Sequence, residues 1–342
     1  MSWTISRSWQ APKIITTIAP VGEDLLVSSG LDLILLDPEF QPRWTKALPF
    51  RVHAAAYAKG TIAVLLGHGF HVIRASDGSQ IGEGRSTNGG FSDLLARPGG
   101  GWVLSCRQGQ LHIFNHDGKG LKRLDSGKVR RLVGWFDREH LMWQDHQGKL
   151  RCARLAKEDS QRILEQRIWS WVSRMVGGKV LLQSADGKLW EGLPHPYGWD
   201  SLEMVESRSL EPLSATMCGD GWWILTVEGG LFGLISEQSP ESAHANFGDL
   251  LVGLAADSMV TASRSGLVRI WQSPDLAILR RAEMQKQVAA AMVANDWEER
   301  KNIFQQACTA EYEGRISVAI NLYQSLGRSV DVNRLLNRQR GD

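Results

Sequence analysis

Nine histidines are the first residues to ask for chemistry. His68-Gly-Phe-His71 and His112-Ile-Phe-Asn-His116 are the tightest pairs. A metal site needs three or four ligands converging from different directions, each oriented by a further hydrogen bond. Positions 68 and 71 of an extended strand point to opposite faces. Both pairs sit at or beside turn residues, so solvated turn histidines are expected and no metal is assigned. The four cysteines (Cys106, Cys152, Cys218, Cys308) are widely separated and lack zinc or redox spacing. They read as free buried thiols of a reducing compartment. No nucleophile elbow, His-Glu-x-x-His or phosphate-cradling Gly-Lys-Ser/Thr loop is present. Gly89-Gly90 and Gly99-Gly100-Gly101 therefore read as turns. No catalytic residue and no cofactor is assigned.

The elements that would position any such residues follow from a repeat. Gly30, Gly69, Gly109, Gly148, Gly187, Gly229 and Gly266 recur at intervals of about 40 residues. Each is preceded by a run that is apolar on both faces, such as Ile62-Ala63-Val64-Leu65-Leu66 or Trp222-Trp223-Ile224-Leu225. Each is followed by a partner strand rich in β-branched and aromatic residues, such as Leu267 to Trp271. A further strand candidate starts about twenty residues earlier, at Ile14, Val52, Phe91, Val129, Ile168, Leu213 and Leu250. Abundant glycine (35 residues) and tryptophan (14 residues) suit an all-β array with many turns.

The unit Ser258 to Asp275, with Arg264-Ser265-Gly266 as its turn and Ile270-Trp271 on its second strand, resembles the inner hairpin of a WD40 repeat. Ser265 and Gln272 stand where that pattern carries Asp. The run Leu36-Asp37…Arg43-Trp44 resembles the ending of quinoprotein-type repeats. The resemblance spans residues 11 to 284. It implies a mainly β fold: a seven-bladed β-propeller of four-stranded blades, followed by a small helical segment. The proposed division is residues 1–284 for the ring and 285–342 for the tail. Ser2 to Trp9 alternates apolar and polar and is expected to close the ring as the outer strand of the last blade.

Propeller enzymes gather carboxylates and histidines at the starts of the innermost strands. Here those positions hold a mixed set, Asp93, Asp249, His53, Arg130 and Arg131, without a repeated carboxylate. Arginine and tryptophan are more prominent: Arg51, Arg130, Arg131, Arg167 and Arg174 near these starts, and Trp169, Trp171 and Trp199 in the fifth repeat. These residue types anchor protein interfaces. Most of the tryptophans are expected to fill the wedges between blades. The run Gly192 to Asp200, containing His195, Tyr197 and Trp199, reads as the longest exposed loop and the first partner-contact candidate.

Past Asp275 the strand grammar stops. Ser273-Pro274-Asp275 fits a helix start, Asn295-Asp296 a break and restart, and Gly314 and Gly327 helix ends. Tyr312-Glu-Gly-Arg…Ala319-Ile-Asn-Leu-Tyr323…Leu326-Gly327 is similar to one tetratricopeptide-like hairpin. Its apolar stripe, with Tyr323, is a second partner-contact candidate, packing on the ring or on another protein.

The net charge of +2 calls for neither nucleic acid nor an anionic membrane. No apolar run reaches the ~18 residues of a membrane span, and no secretory signal opens the chain. The expected function is a cytoplasmic, non-catalytic scaffold that binds other proteins in a larger complex. A propeller hydrolase, lyase or quinone-dependent dehydrogenase with a site in the channel is the enzymatic alternative. An accessory propeller of a prokaryotic AAA-type ATPase system is another.

Overall fold

The computed structural model describes residues 3–85, 89–155, 161–219, 221–234, 247–255 and 257–340. Two compact units are present, Met1–Leu276 and Ala277–Asp342.

The first unit is a seven-bladed β-propeller. Its innermost strands are β2 (Ile15–Val21), β6 (Ala54–Ala58), β10 (Phe91–Ala96), β14 (Val129–Trp135), β18 (Trp169–Val172), β22 (Pro212–Cys218) and β25 (Leu250–Ala255). Each opens an antiparallel sheet, and in all but the last blade chain order equals spatial order, as in β2-β3-β4-β5, with β3 (Asp24–Ser29), β4 (Asp32–Leu36) and β5 (Pro42–Ala47). The same run of four builds the blades that start at β6, β10, β14 and β18. The sixth blade holds β22, β23 (Gly221–Thr226) and β24 (Leu231–Leu234) among the described residues. Residues 235–246, which follow β24, lie outside the described residues.

Ring closure follows the alternating N-terminal pattern. Strand β1 (Thr4–Gln10) pairs antiparallel with β27 (Leu267–Gln272), which pairs with β26 (Ser258–Ala262), giving the last blade the order β1-β27-β26-β25. The first residue of the expected strand, Ser2, lies outside the described residues. Trp9 stands opposite Val268. Trp3 packs edge-on to Trp223 at 5.0 Å between ring centroids, so the first residues of the chain also reach the sixth blade. Without β1, the N–H and C=O groups on the outer side of β27 would be left unpaired.

Second strands are apolar on both sides because each is sandwiched between two neighbouring blades. Alternation then divides one strand between two interfaces. Leu25 and Val27 pack toward the last blade, and Leu26 toward the second. Seven such clusters, one for each blade boundary, make up the core of the ring. Trp102, Trp143 and Trp169 are wholly buried in three of these wedges. Other tryptophans fasten one blade to the next: the Trp44 indole N–H donates to Ala75 O at 2.7 Å and that of Trp135 to Ala96 O at 2.8 Å. Trp44 lies directly over Gly78 of the second blade, where a side chain would collide with its ring.

Six of the seven repeat glycines sit in the turn between second and third strands with φ between 66° and 106°. Left-handed backbone of this kind excludes most side chains. Gly69 corrects the pattern. It begins β8 (Gly69–Arg74), opposite Arg85 of β9 (Gln80–Arg85), and the turn is Gly67-His68. A Cβ there would stand 2.6 Å from Gly84 O, so close backbone approach, not φ, requires glycine.

The helical part differs from expectation in two respects. Helix α1 runs unbroken from Pro274 to Tyr312, with Ser273 Oγ accepting from the Leu276 N–H at 3.5 Å. Residues 277–284, assigned to the ring from sequence, are helical. Asn295 and Asp296 do not interrupt α1, since each costs an interior helix only about 0.6 kcal/mol relative to Ala. Helices α2 (Ile316–Ser325) and α3 (Ser329–Arg340) follow. Gly314 (φ 75°) and Gly327 (φ 71°) end α1 and α2 in left-handed backbone, closed by Arg315 N–H to Ala310 O and Arg328 N–H to Tyr323 O. Ala307, Ala310, Ala319, Ile320, Val332 and Leu335 form the core of this unit. Among the described residues, no helix is long and apolar enough to cross a membrane.

Candidate functional site

The seven innermost strands start at one face of the ring, termed here the leading face. Loops joining successive blades and turns joining second to third strands all lie on it. The remaining turns form the trailing face. Between the faces the innermost strands surround a channel of about 1070 Å³. Its lining is largely apolar, with Ile18, Tyr57, Trp135, Met175, Met217 and Leu254 drawn from six blades.

Inner-strand edges have no fifth strand to pair with, so side chains reach across to the next blade instead. Thr16 Oγ1 donates to Val52 O at 2.9 Å, and Ser214 Oγ to Leu251 O at 3.2 Å. The polar cluster expected near the inner-strand starts serves the same purpose. Asp93 accepts from the Leu132 N–H at 2.8 Å and pairs with Arg174, which donates to the carbonyls of Leu94 and Leu132. Three blades are thereby tied together. Arg131 donates to Val172 O at 2.7 Å and lies against Trp171, 5.6 Å from its ring centroid. Burial, with Arg174 close by, pulls the Arg131 guanidinium down to about 10. Arg131 is thus an interblade strut, whereas Arg130 next to it is exposed.

The run Gly192 to Asp200 is not a loop. Strand β20 (Leu189–His195) and strand β21 (Gly198–Glu206) continue through it as a hairpin turning at Pro196-Tyr197. Trp199 folds over Gly192, where a Cβ would meet its ring at 2.3 Å, and its N–H donates to Glu165 Oε2 at 3.1 Å. Its bulk therefore belongs to the wedge between blades four and five. His195 accepts from the Tyr197 N–H at 3.1 Å. Tyr197 is 79% exposed, with the Arg162 guanidinium 4.2 Å from its ring centroid. Of the three residues expected to meet a partner here, Tyr197 alone is a free tip. Tyr323 is corrected as well: it is 3% exposed in the core of the helical unit, and its hydroxyl donates to Glu311 Oε2 at 3.1 Å. Arg334 holds the same carboxylate.

The histidines do not converge. His68 is exposed on its turn, while His71 lies 3.8 Å from Glu83. His112 packs edge-on to Phe91 and stacks on Phe114, and burial, reinforced by Arg123, lowers its pKa. Among the described residues no three His, Cys, Asp or Glu side chains gather as a metal site would require.

What the sequence reading missed is a charge difference between the faces. On described leading-face connections stand Lys13, Arg51, Arg107, Lys128, Lys149, Arg167, Lys188, Arg208 and Arg264, against Asp186, Glu211, Glu228 and Asp249. On trailing-face connections stand Glu23, Asp37, Glu39, Asp77, Asp117, Asp137, Glu139 and Asp257, against Lys59, Arg97, Lys119, Arg138, Arg174 and Lys179. Two of those trailing cations are turned to carboxylates of the blades, Arg174 to Asp93 and Lys179 to Glu191. On the leading face Arg51, Arg107, Lys128 and Arg130 are exposed, and none has an ion-pair partner among the described residues. Phe50 (54% exposed) and Ile168 (55% exposed) share that face. The signal was present in the sequence, in the assignment of each charge to one class of loop.

Comparison with solved structures agrees with the architecture. The crystal structure of BamB from Moraxella catarrhalis matches with a TM-score of 0.53 and 15% identity, covering 79% of this chain and 88% of that one. This likeness is one of fold. No protein-family model and no curated protein matches the chain.

Proposed function

We propose that this chain is a non-catalytic interaction module that holds partner proteins through the leading face of its propeller, in a cytoplasmic assembly. The observation that carries this reading is the pairing, on one face, of unpartnered exposed cations with the exposed side chains of Phe50 and Ile168. Exposed apolar side chains rimmed by arginine are the composition of a protein contact surface. The loops that carry them are short and anchored in paired strands, so little ordering entropy opposes binding. Tyr197 adds an aromatic tip on the trailing side.

The test is cross-linking in the native host, with photo-reactive residues placed at position 107 or 146 on the leading face and at position 59 or 117 on the trailing face. A discrete protein partner cross-linked from the first pair and absent from the second is expected. Equal yields from both faces, or none from either, would remove the proposal.

A further inference from the structure

We infer that the partner segment recognised by the leading face is an acidic amphipathic stretch of protein, seated along a basic arc over blades two to four. This rests on the interaction reading above and gives its partner a chemistry. The arc is continuous in the backbone. Gly90, whose added Cβ would lie 2.8 Å from Gly67 O, accepts from the Arg107 N–H at 3.3 Å. The Ser126 N–H donates to Gly109 O at 2.9 Å, and the His146 N–H to Lys128 O at 3.0 Å. The Trp169 N–H donates to Gly148 O at 3.0 Å, which brings Ile168 to the far end. Phe50 and Arg51 stand at the near end, in the loop that leads to β6.

The carboxylate buried within the arc is already committed. Asp145 is buried, paired with Arg151 at 2.6 Å, and accepts the N–H groups of Gln147 and Lys149 at 2.9 and 3.0 Å. Asp125 caps the Gly127 N–H at 3.3 Å. The charges of Arg51, Arg107, Lys128 and Arg130 are thus free to meet carboxylates from outside, which steers encounter and fixes register. An exposed apolar side chain at each end, Phe50 and Ile168, favours a peptide with apolar anchors over a nucleic acid. Nucleic-acid affinity comes chiefly from phosphate contacts and gains little from aliphatic anchors.

Binding of a fluorescent helix-forming peptide with Glu on one side and Leu on the other tests this on the full chain, by anisotropy in about 50 to 300 mM NaCl. Affinity is expected to fall with salt. It should drop about tenfold or more in the R107E/K128E/R130E variant and stay within about twofold in K59E/K119E on the trailing face. An R107Q/K128Q/R130Q variant with unchanged melting temperature should fall between, which separates lost charge from lost folding. No wild-type binding at the lowest salt, equal binding by all variants, or tighter binding of duplex DNA than of the peptide overturns the inference. Salt-reversible self-association that blocks the peptide would do the same, by assigning the arc to a second copy of the chain. If the peptide fails while cross-links from positions 107 and 146 still capture one protein, the acidic chemistry falls and the interaction reading stands.

Discussion

The two faces of the ring are built from the same repeat and differ in what their loops carry. Trailing-face turns are largely self-satisfied: Asp37 caps the N–H groups of Glu39 and Gln41, and Asp137 those of Glu139 and His140. There carboxylates cap turns, some of which also hold a left-handed glycine, as at Gly78. On the leading face, glycines in left-handed backbone form many of the turns, as at Gly109, Gly148 and Gly266; Arg264 is paired with Asp249, whereas Arg51, Arg107 and Lys128 have no ion-pair partner among the described residues. A near-neutral chain can therefore present a basic face without any excess of lysine and arginine overall. Where charge is placed decides partner chemistry, and a sum over the sequence hides it.

This contrast depends on one rigid frame beneath both faces, and the largest expected effects lie there. Trp143→Ala empties the wedge between blades three and four and should destabilise the ring by about 3–5 kcal/mol. Chemical denaturation followed at probes on both faces should show one coincident transition. Separate transitions would mean that the faces belong to independent parts. Arg174→Ala leaves Asp93 without its guanidinium and should cost about 3 kcal/mol, close to the range for a broken buried pair because the cluster is half-buried. The same assay reads it, and an Asp93→Asn, Arg174→Met double variant should recover part of the loss. Removal of residues 1–10 exposes the edge of β27 and should lower the melting temperature while promoting concentration-dependent association, measured by light scattering.

Smaller effects sharpen the contrast. Cys106, Cys152 and Cys218 are buried in the ring and Cys308 is exposed on α1. Burial pushes the Cys218 thiol up to about 12, so it stays protonated at pH 8. Thiol titration of the native protein at pH 8 should label one cysteine quickly, identified by mass spectrometry as Cys308. Rapid labelling of Cys218 would show that the blade boundary at β22 opens. Tyr197→Ala removes an exposed tip and should change stability by less than about 0.5 kcal/mol, in the same denaturation assay.

Much of this architecture was legible because propeller blades repeat local chemistry. Gly266 and its counterparts mark turns that need left-handed backbone, and the alternation at Trp3, Ile5 and Trp9 points to the closing strand. Gly69 shows where spacing misleads: the interval is right, but crowding by Gly84 is the cause. Pro194 and Pro196 made the β20–β21 hairpin look like a loop, although an outer strand pair tolerates proline. Tyr323 sat on an apolar stripe whose destination, core or surface, a single helix cannot disclose. The basic arc is not legible in the sequence because Arg51, Arg107 and Lys128 are far apart in the chain and meet only once each connection is placed on its face.

Hydrogen–deuterium exchange with and without the acidic peptide tests the central claim most directly, because it reports which face is covered. The account predicts slowed exchange at the turns around Arg107, Lys128 and His146, with the trailing turns at Lys59-Gly60 and Asp117-Gly118 unchanged. Protection at those trailing turns, with the leading face unaltered, would contradict it.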